Sequence, residues 1–254
     1  MSGHSKWSQI KRKKAITDSK RGAVFAKIAK EIMVAARLGG PDPNANYRLR
    51  FAIEKAKINL VPLNNIQRAI EKGAGVGQDG SRIEEILYEG YGSGGAAILI
   101  LSTTDNKNRT IADLRNFFSK YHGKMAEAGA VSWMFTKRGE IKISKSSFKN
   151  QDEIFEFAIE CGAEDFDGSD DEYITIITKP EELEKVQKNI ISKNINPQET
   201  QIAYASKEHI EITDPEIAKN LIKLLDAIED HDDVQNVYSN FDIKEEVLSM
   251  IKVE

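Results

Sequence analysis

The sequence predicts an α+β protein of three domains, in which an N-terminal three-helix bundle precedes two ferredoxin-like α/β domains, one inserted in the other. Charge divides the chain, because residues 1–75 carry sixteen Lys/Arg and five Asp/Glu, whereas residues 76–254 carry twenty and thirty-five. The apolar pattern also changes, from helical spacing alone to alternating strand and helix patterns. The predicted domain limits are 1–78, 79–131 together with 208–254, and 132–207.

The first predicted helix covers residues 17–38, where apolar residues recur at positions that share one face. Thr17 or Asp18 is the expected N-cap, and the Gly-Gly-Pro sequence at 39–41 is the expected stop. The opposite face carries a basic stripe, which we expect to remain accessible. The apolar face comprises Phe25, Ile28, Ala29, Ile32 and Ala36. The basic stripe comprises Lys20, Lys27, Lys30 and Arg37.

Two shorter helices are predicted over residues 46–59 and 64–72, the second of which ends at Gly73. Arg48 and Arg50 belong to the outer, basic surface of the first of these helices. Three amphipathic helices joined by Gly/Pro-containing turns have the size of a helical nucleic-acid-binding module. The residues expected to face inward are Leu49, Ala52, Ile53 and Ala56, followed by Ile66, Ala69 and Ile70.

Strand and helix patterns alternate after residue 78, and the glycine-rich residues 73–80 before them are interpreted as a hinge. The middle set of elements resembles a complete split β-α-β unit, and the flanking sets each resemble half of one. The predicted strands are residues 83–91, 96–103, 131–135, 140–143, 173–178, 201–205, 208–213 and 234–241. The predicted helices are residues 110–121, 152–161, 180–191 and 215–229.

The densest basic charge lies in residues 3–22, where seven cations are opposed only by Asp18. Such a cluster neutralises phosphates, which predicts nucleic-acid binding. Two alternatives are a solvated basic arm and a helix on anionic lipid, although an Ala/Ile face with Phe25 as its only aromatic disfavours the lipid. Trp7 either anchors this segment or stacks on a base. The cations are Lys6, Lys11, Arg12, Lys13, Lys14, Lys20 and Arg21.

We predict no catalytic residue, no cofactor and no metal site. The stretch 90–95 is neither GxGxxG nor a Walker A sequence, and the four histidines show no ligand spacing. Acidic runs at 165–172 and 230–233 are interpreted as solvated loop charge. Cys161, the only cysteine, is expected to be buried and inert, which fits a reducing compartment. With no apolar run of eighteen residues, we expect no membrane partner. We also expect the protein to be monomeric and cytoplasmic.

A polar cluster at residues 105–110 lies at a predicted strand-to-helix junction. Its structural interpretation is a helix cap and turn. Its functional interpretation is a phosphate contact near the helix N-terminus. The secondary candidates for nucleic-acid binding are therefore Asn106, Asn108 and Arg109.

Several long motifs are spread in order along almost the whole chain: GHSKWSQIKRKKAITDSKRGAVFAKIAKEI, VAARLGGPDPNANYRLR, YEGYGSGGAA, TDNKNRT, GAVSWMF and LLDAIEDHDDVQNVYSN. Together they strongly resemble the YebC/PmpR family, which includes the mitochondrial translational activator of cytochrome c oxidase. The resemblance implies a helical bundle, two α/β domains and a non-enzymatic role in gene expression. Bacterial members resemble transcriptional regulators that bind promoter DNA. Other members resemble ribosome-associated factors that help translate difficult sequences such as proline runs.

Three hypotheses for the function remain open. The protein is a nucleic-acid-binding regulator of transcription, a translation factor that binds ribosomal RNA on the ribosome, or a protein-interaction module whose basic end meets an acidic protein. The basic segment is the part that the family pattern matches best, so its cations are the leading contact residues. No base-reading residue can be named from one sequence.

Overall fold

The protein is described here from a computed structural model, which covers residues 18–75 and 83–251. The N-terminal helices are α1 (Asp18–Gly39), α2 (Tyr47–Ile58) and α3 (Leu63–Gly73). Their predicted apolar faces form one core, in which Ile32 and Leu49 are fully buried. Asn46 fixes the turn between α1 and α2, because its side-chain oxygen accepts from the Leu49 amide and its Nδ2 donates to the Ala35 carbonyl. The predicted bundle and its buried faces are confirmed.

Gly73 allows α3 to approach α1 closely, since a Cβ at this position would overlap the main chain of Met33. We expect Gly73→Ala to lower the free energy of unfolding by about 1–3 kcal/mol, because the two helices would have to separate. Gly22, inside α1, has open space around it. Gly22→Ala is therefore the matched control and should stabilise the protein by about 0.5–1 kcal/mol. Equal shifts in thermal unfolding for the two variants would contradict the close approach.

The remaining chain alternates strands and helices, as predicted. In chain order the strands are β1 (Glu84–Tyr91), β2 (Ala97–Thr104), β3 (Lys124–Ala126), β4 (Phe135–Ser144), β5 (Asp165–Asp167), β6 (Tyr173–Thr178), β7 (Glu199–Ser206), β8 (Ile210–Ile212), β9 (Val234–Ser239) and β10 (Phe241–Ile243). The helices are α4 (Lys107–Lys120), α5 (Gln151–Cys161), α6 (Leu183–Ser192), α7 (Pro215–Glu229) and α8 (Glu245–Met250).

The first sheet has the antiparallel order β3-β1-β2-β9, so its last strand comes from the far end of the chain. One face packs on α4 and α7 through a core that includes Ile98, Ile100, Phe118 and Leu221. The other face contributes Leu99 to a smaller core that it shares with β4 and β7 of the second sheet. The chain thus leaves the first sheet after β3, builds the second and returns to complete the first.

The second sheet has the order β5-β6-β4-β7, and its buried residues pack against α5 and α6. The prediction of two separate strands, at 131–135 and 140–143, is wrong. Gly139 instead lies inside the single strand β4, paired with Thr178 on one side and Ile202 on the other. A Cβ there would overlap the Thr178 hydroxyl, so this glycine serves close packing rather than a turn.

The C-terminal strand prediction also needs correction, because residues 234–241 form two strands that join different sheets. β9 pairs with β2, whereas β10 pairs in parallel with β8. Asn240 marks the break, and its side-chain oxygen accepts from the Ala97 amide. The short elements β3, β5 and α8 were not predicted.

None of the helices within residues 18–75 and 83–251 has the length and apolar character needed to cross a membrane.

Candidate nucleic-acid interface

The leading basic segment ends where α1 begins. Lys6, Trp7 and the four consecutive cations Lys11, Arg12, Lys13 and Lys14 lie outside the described residues, as do the side chains of Lys20 and Arg21. Their assignment to nucleic acid therefore stays a prediction. The structure instead locates the cations of α1 and α2 that follow this segment.

Three cations of the basic stripe, those of Lys27, Lys30 and Arg37, contact the first α/β domain. Lys27 donates from Nζ to the carbonyl of Glu229, the last residue of α7. Lys30 donates to Asp233 Oδ1 at 2.6 Å, and Arg37 donates to the Ile83 carbonyl at 2.8 Å. The expectation of accessibility is therefore wrong for Lys27 and Lys30, which are partly buried, whereas Arg37 is exposed. The C-terminus of a helix attracts cations, and the C-terminus of α7 is followed by the acidic run 230–233. The contact between α1 and the end of α7 is therefore electrostatically favourable.

Two basic residues of α2, Arg48 and Arg50, connect the bundle to the two α/β domains. Arg48 pairs with Glu85 at the start of β1. Arg50 pairs with Glu184 of α6 at 2.6 Å and donates to the Pro43 carbonyl at 2.7 Å. Phe51 of α2 is buried in the core of the second α/β domain. The bundle is therefore held to its neighbours by ion pairs and by an apolar contact.

Asp233 is the acceptor where α1, α4 and β2 meet, with only 1% of its surface exposed. Besides Lys30, it accepts from Arg109 Nη2 at 2.9 Å and from the Thr110 hydroxyl at 2.8 Å. Burial alone would raise the pKa of this carboxyl, but these hydrogen bonds and the charge of Lys30 outweigh burial and lower it far below its usual range. The interpretation of residues 230–233 as solvated charge is wrong for this residue.

The secondary candidates have structural partners of their own. Asn106 caps α4, since its side-chain oxygen accepts from the Arg109 amide at 3.1 Å. Arg109 is tied to Asp105 and Asp233, each at 2.9 Å, while Asn108 is exposed. The cap interpretation is confirmed for Asn106, and the phosphate contact stays a prediction.

Comparison with known proteins accounts for nearly the whole chain. A family model described as "TACO1/YebC protein N-terminal domain" matches residues 5–76. A second, described as "TACO1/YebC second and third domain", matches residues 83–241. The chain belongs to the TACO1/YebC family.

Full-length relatives of this TACO1/YebC protein carry a common name. A protein of Methylacidiphilum infernorum named "Probable transcriptional regulatory protein" is 50% identical over 98% of both chains. Proteins of the same type from Sulfurihydrogenibium and Chlorobaculum tepidum are 49% and 46% identical, over 99% and 100% of this chain and all of their own. The crystal structure of a conserved hypothetical protein from Aquifex aeolicus aligns with a TM-score of 0.85 and 44% identity, covering 91% of this chain and 94% of the other.

A second buried carboxylate, that of Glu89, holds the segment that leads from the first sheet of this TACO1/YebC protein to the second. Glu89 of β1 accepts from the amides of Gly129, Val131 and Ser132 at 2.6–3.0 Å. Burial would raise its pKa, but the three amide hydrogen bonds outweigh that effect and lower it. Sequence reasoning did not single out Glu89, although it lies in the YEGYG motif and its three partners lie in GAVSWMF.

Two further features of this TACO1/YebC protein concern its metal-ligating residue types and its cysteine. Within residues 18–75 and 83–251, His, Cys, Asp and Glu form no cluster of three or more suited to a metal ion. Cys161 is fully buried, as predicted, and burial raises its thiol pKa. A thiol in this environment stays protonated and unreactive.

Proposed function

We propose that this TACO1/YebC protein is a non-enzymatic, nucleic-acid-binding regulator of gene expression, acting as a DNA-binding regulator of transcription in the cytoplasm. One observation carries the proposal: residues 3–22 hold seven cations against one carboxylate, on a chain whose net charge is −4. Such a local excess binds a polyanion despite the acidic remainder. The names of the full-length relatives support transcription as the process.

The contacts within the protein narrow the proposed interface to the basic segment. Lys30 and Arg50 each already pair with a carboxylate of another domain, and Lys27 and Arg37 with carbonyls. A phosphate would have to replace these partners, which costs the contacts that hold the bundle in place. We therefore assign first contact to Lys6, Lys11, Arg12, Lys13, Lys14, Lys20 and Arg21, with Lys27 and Lys30 binding nucleic acid only if the bundle moves away.

A second candidate function is a ribosome-associated translational activator that binds ribosomal RNA. Trp7 lies inside the basic segment, and an aromatic among cations suits unpaired bases, which RNA loops offer and duplex DNA does not. The proline-run activity implied by the family resemblance belongs to this candidate.

Binding of the full-length protein to duplex DNA at several salt concentrations tests the proposal. With about five phosphates neutralised, log affinity should fall against log salt with a slope of roughly −4 to −5. A flat salt response would contradict it. Cosedimentation with ribosomes, lost at high salt, with negligible duplex binding would favour the second candidate. Indifference to both polymers would favour a protein partner.

A further inference from the structure

The two chain crossings between the α/β domains lie side by side and present Trp133 to solvent. Trp133 lies in the outgoing crossing, between β3 and β4, and Lys207 lies in the returning one, just after β7. Lys207 joins them, because its amide donates to the Met134 carbonyl at 2.9 Å and its Nζ donates to the Trp133 carbonyl at 2.8 Å. A tryptophan and an ammonium group therefore share one surface.

The Trp133 side chain is 64% exposed, yet it is fixed. Its Nε1 donates to the Ala130 carbonyl at 3.0 Å, so its only polar atom is already satisfied. The chain on either side is anchored by the buried residues Val131 and Phe135. Glu89 holds the same loop through three amides. An aromatic ring held in this way loses little conformational entropy when a planar group of a ligand stacks on it.

Single exposed apolar residues are common on protein surfaces and by themselves indicate nothing. Trp133 differs because the ring is pre-ordered, its indole N–H needs no outside partner, and the neighbouring Lys207 carries an exposed positive charge. An unpaired base supplies the complementary chemistry, since its face stacks on the ring while its phosphate meets the ammonium. A base within a duplex is already stacked on both faces.

We propose that Trp133 and Lys207 form a stacking site for an unpaired base of single-stranded nucleic acid. The proposal rests on the nucleic-acid-binding function above and extends it to a second surface, on the α/β domains. The site lies outside the basic segment, so it gives the protein a means to distinguish single strands from duplex.

The test uses full-length protein carrying Trp7→Phe, in which Trp133 is the only tryptophan. A single-stranded oligonucleotide of roughly 16 residues should quench its fluorescence, whereas the matching duplex should not. Trp133→Ala should weaken single-strand binding, measured by anisotropy, by roughly 5- to 150-fold and leave duplex binding unchanged. Trp133→Phe should retain most of the affinity, and Phe155→Ala, which removes another exposed aromatic, should change nothing.

The outcomes separate this site from the broader function. If anisotropy reports single-strand binding without quenching, and Trp133→Ala binds normally, the stacking site is refuted while nucleic-acid binding stands. Equal quenching by duplex would also overturn the preference for single strands. If neither polymer binds at all, the proposed function fails together with the site.

Discussion

Replacing Lys11, Arg12, Lys13 and Lys14 together by Glu should reduce the affinity of the full-length protein for nucleic acid by about 10³- to 10⁴-fold at 0.1 M salt. Each lost phosphate contact removes about 0.9 of a unit from the salt slope, which at that salt corresponds to about 0.9 decade of affinity. The slope itself should fall in magnitude to about −1, which titrations at several salt concentrations would measure.

A matched control separates local contact from overall charge. Replacing the exposed residues Lys149, Lys179, Lys185 and Lys223 by Glu produces the same change in net charge, from −4 to −12, on the acidic part of the chain. Surface substitutions of this kind change folding stability by less than about 0.5 kcal/mol each, so both variants should fold. If both lost affinity equally, the long-range field rather than the basic segment would govern binding.

Replacing Asp233 by Ala should lower the free energy of unfolding by about 3 kcal/mol, because it leaves Lys30, Arg109 and Thr110 without their common acceptor. Asp232→Ala is the control, since this neighbouring carboxylate is exposed and only its main-chain carbonyl accepts from Lys30. Denaturant unfolding of the two variants measures the difference. Similar values for both would show that the buried cluster contributes nothing to stability.

The same carboxyl predicts how stability depends on pH. Its pKa is lowered in the folded protein, so its contribution is complete above the unfolded-state pKa of about 3.9 and is lost as pH falls toward the folded-state value. Wild-type stability should therefore drop faster than that of Asp233→Ala as pH falls below about 4. Parallel pH profiles would contradict the assigned cause.

Periodicity in the sequence predicted the bundle because each helix buries residues chosen by local spacing, as Ile32 and Leu49 show. The same spacing identified the basic stripe but not the surface that it meets. Lys30 and Asp233 are 203 positions apart, and no local pattern links them. The strand prediction around Gly139 was wrong for a related reason, because the neighbours of this glycine, Thr178 and Leu183, come from elements distant in sequence. Local residue spacing therefore predicts which residues share a face of a helix or strand. Contacts between elements distant in sequence determine which of those faces are covered.

β9 lies near the C-terminal end of the chain and is therefore synthesised long after β2 and α1, which it or its flanking residues contact. Asp233 leaves the ribosome 203 residues after Lys30, which at 5–20 residues per second is a delay of about 10–40 s. Until then β2 lacks β9, the second of its two neighbouring strands, and Lys30 lacks its carboxylate partner. A nascent chain therefore exposes more unpaired positive charge than the complete protein while it is still attached to the ribosome, whose RNA is a polyanion.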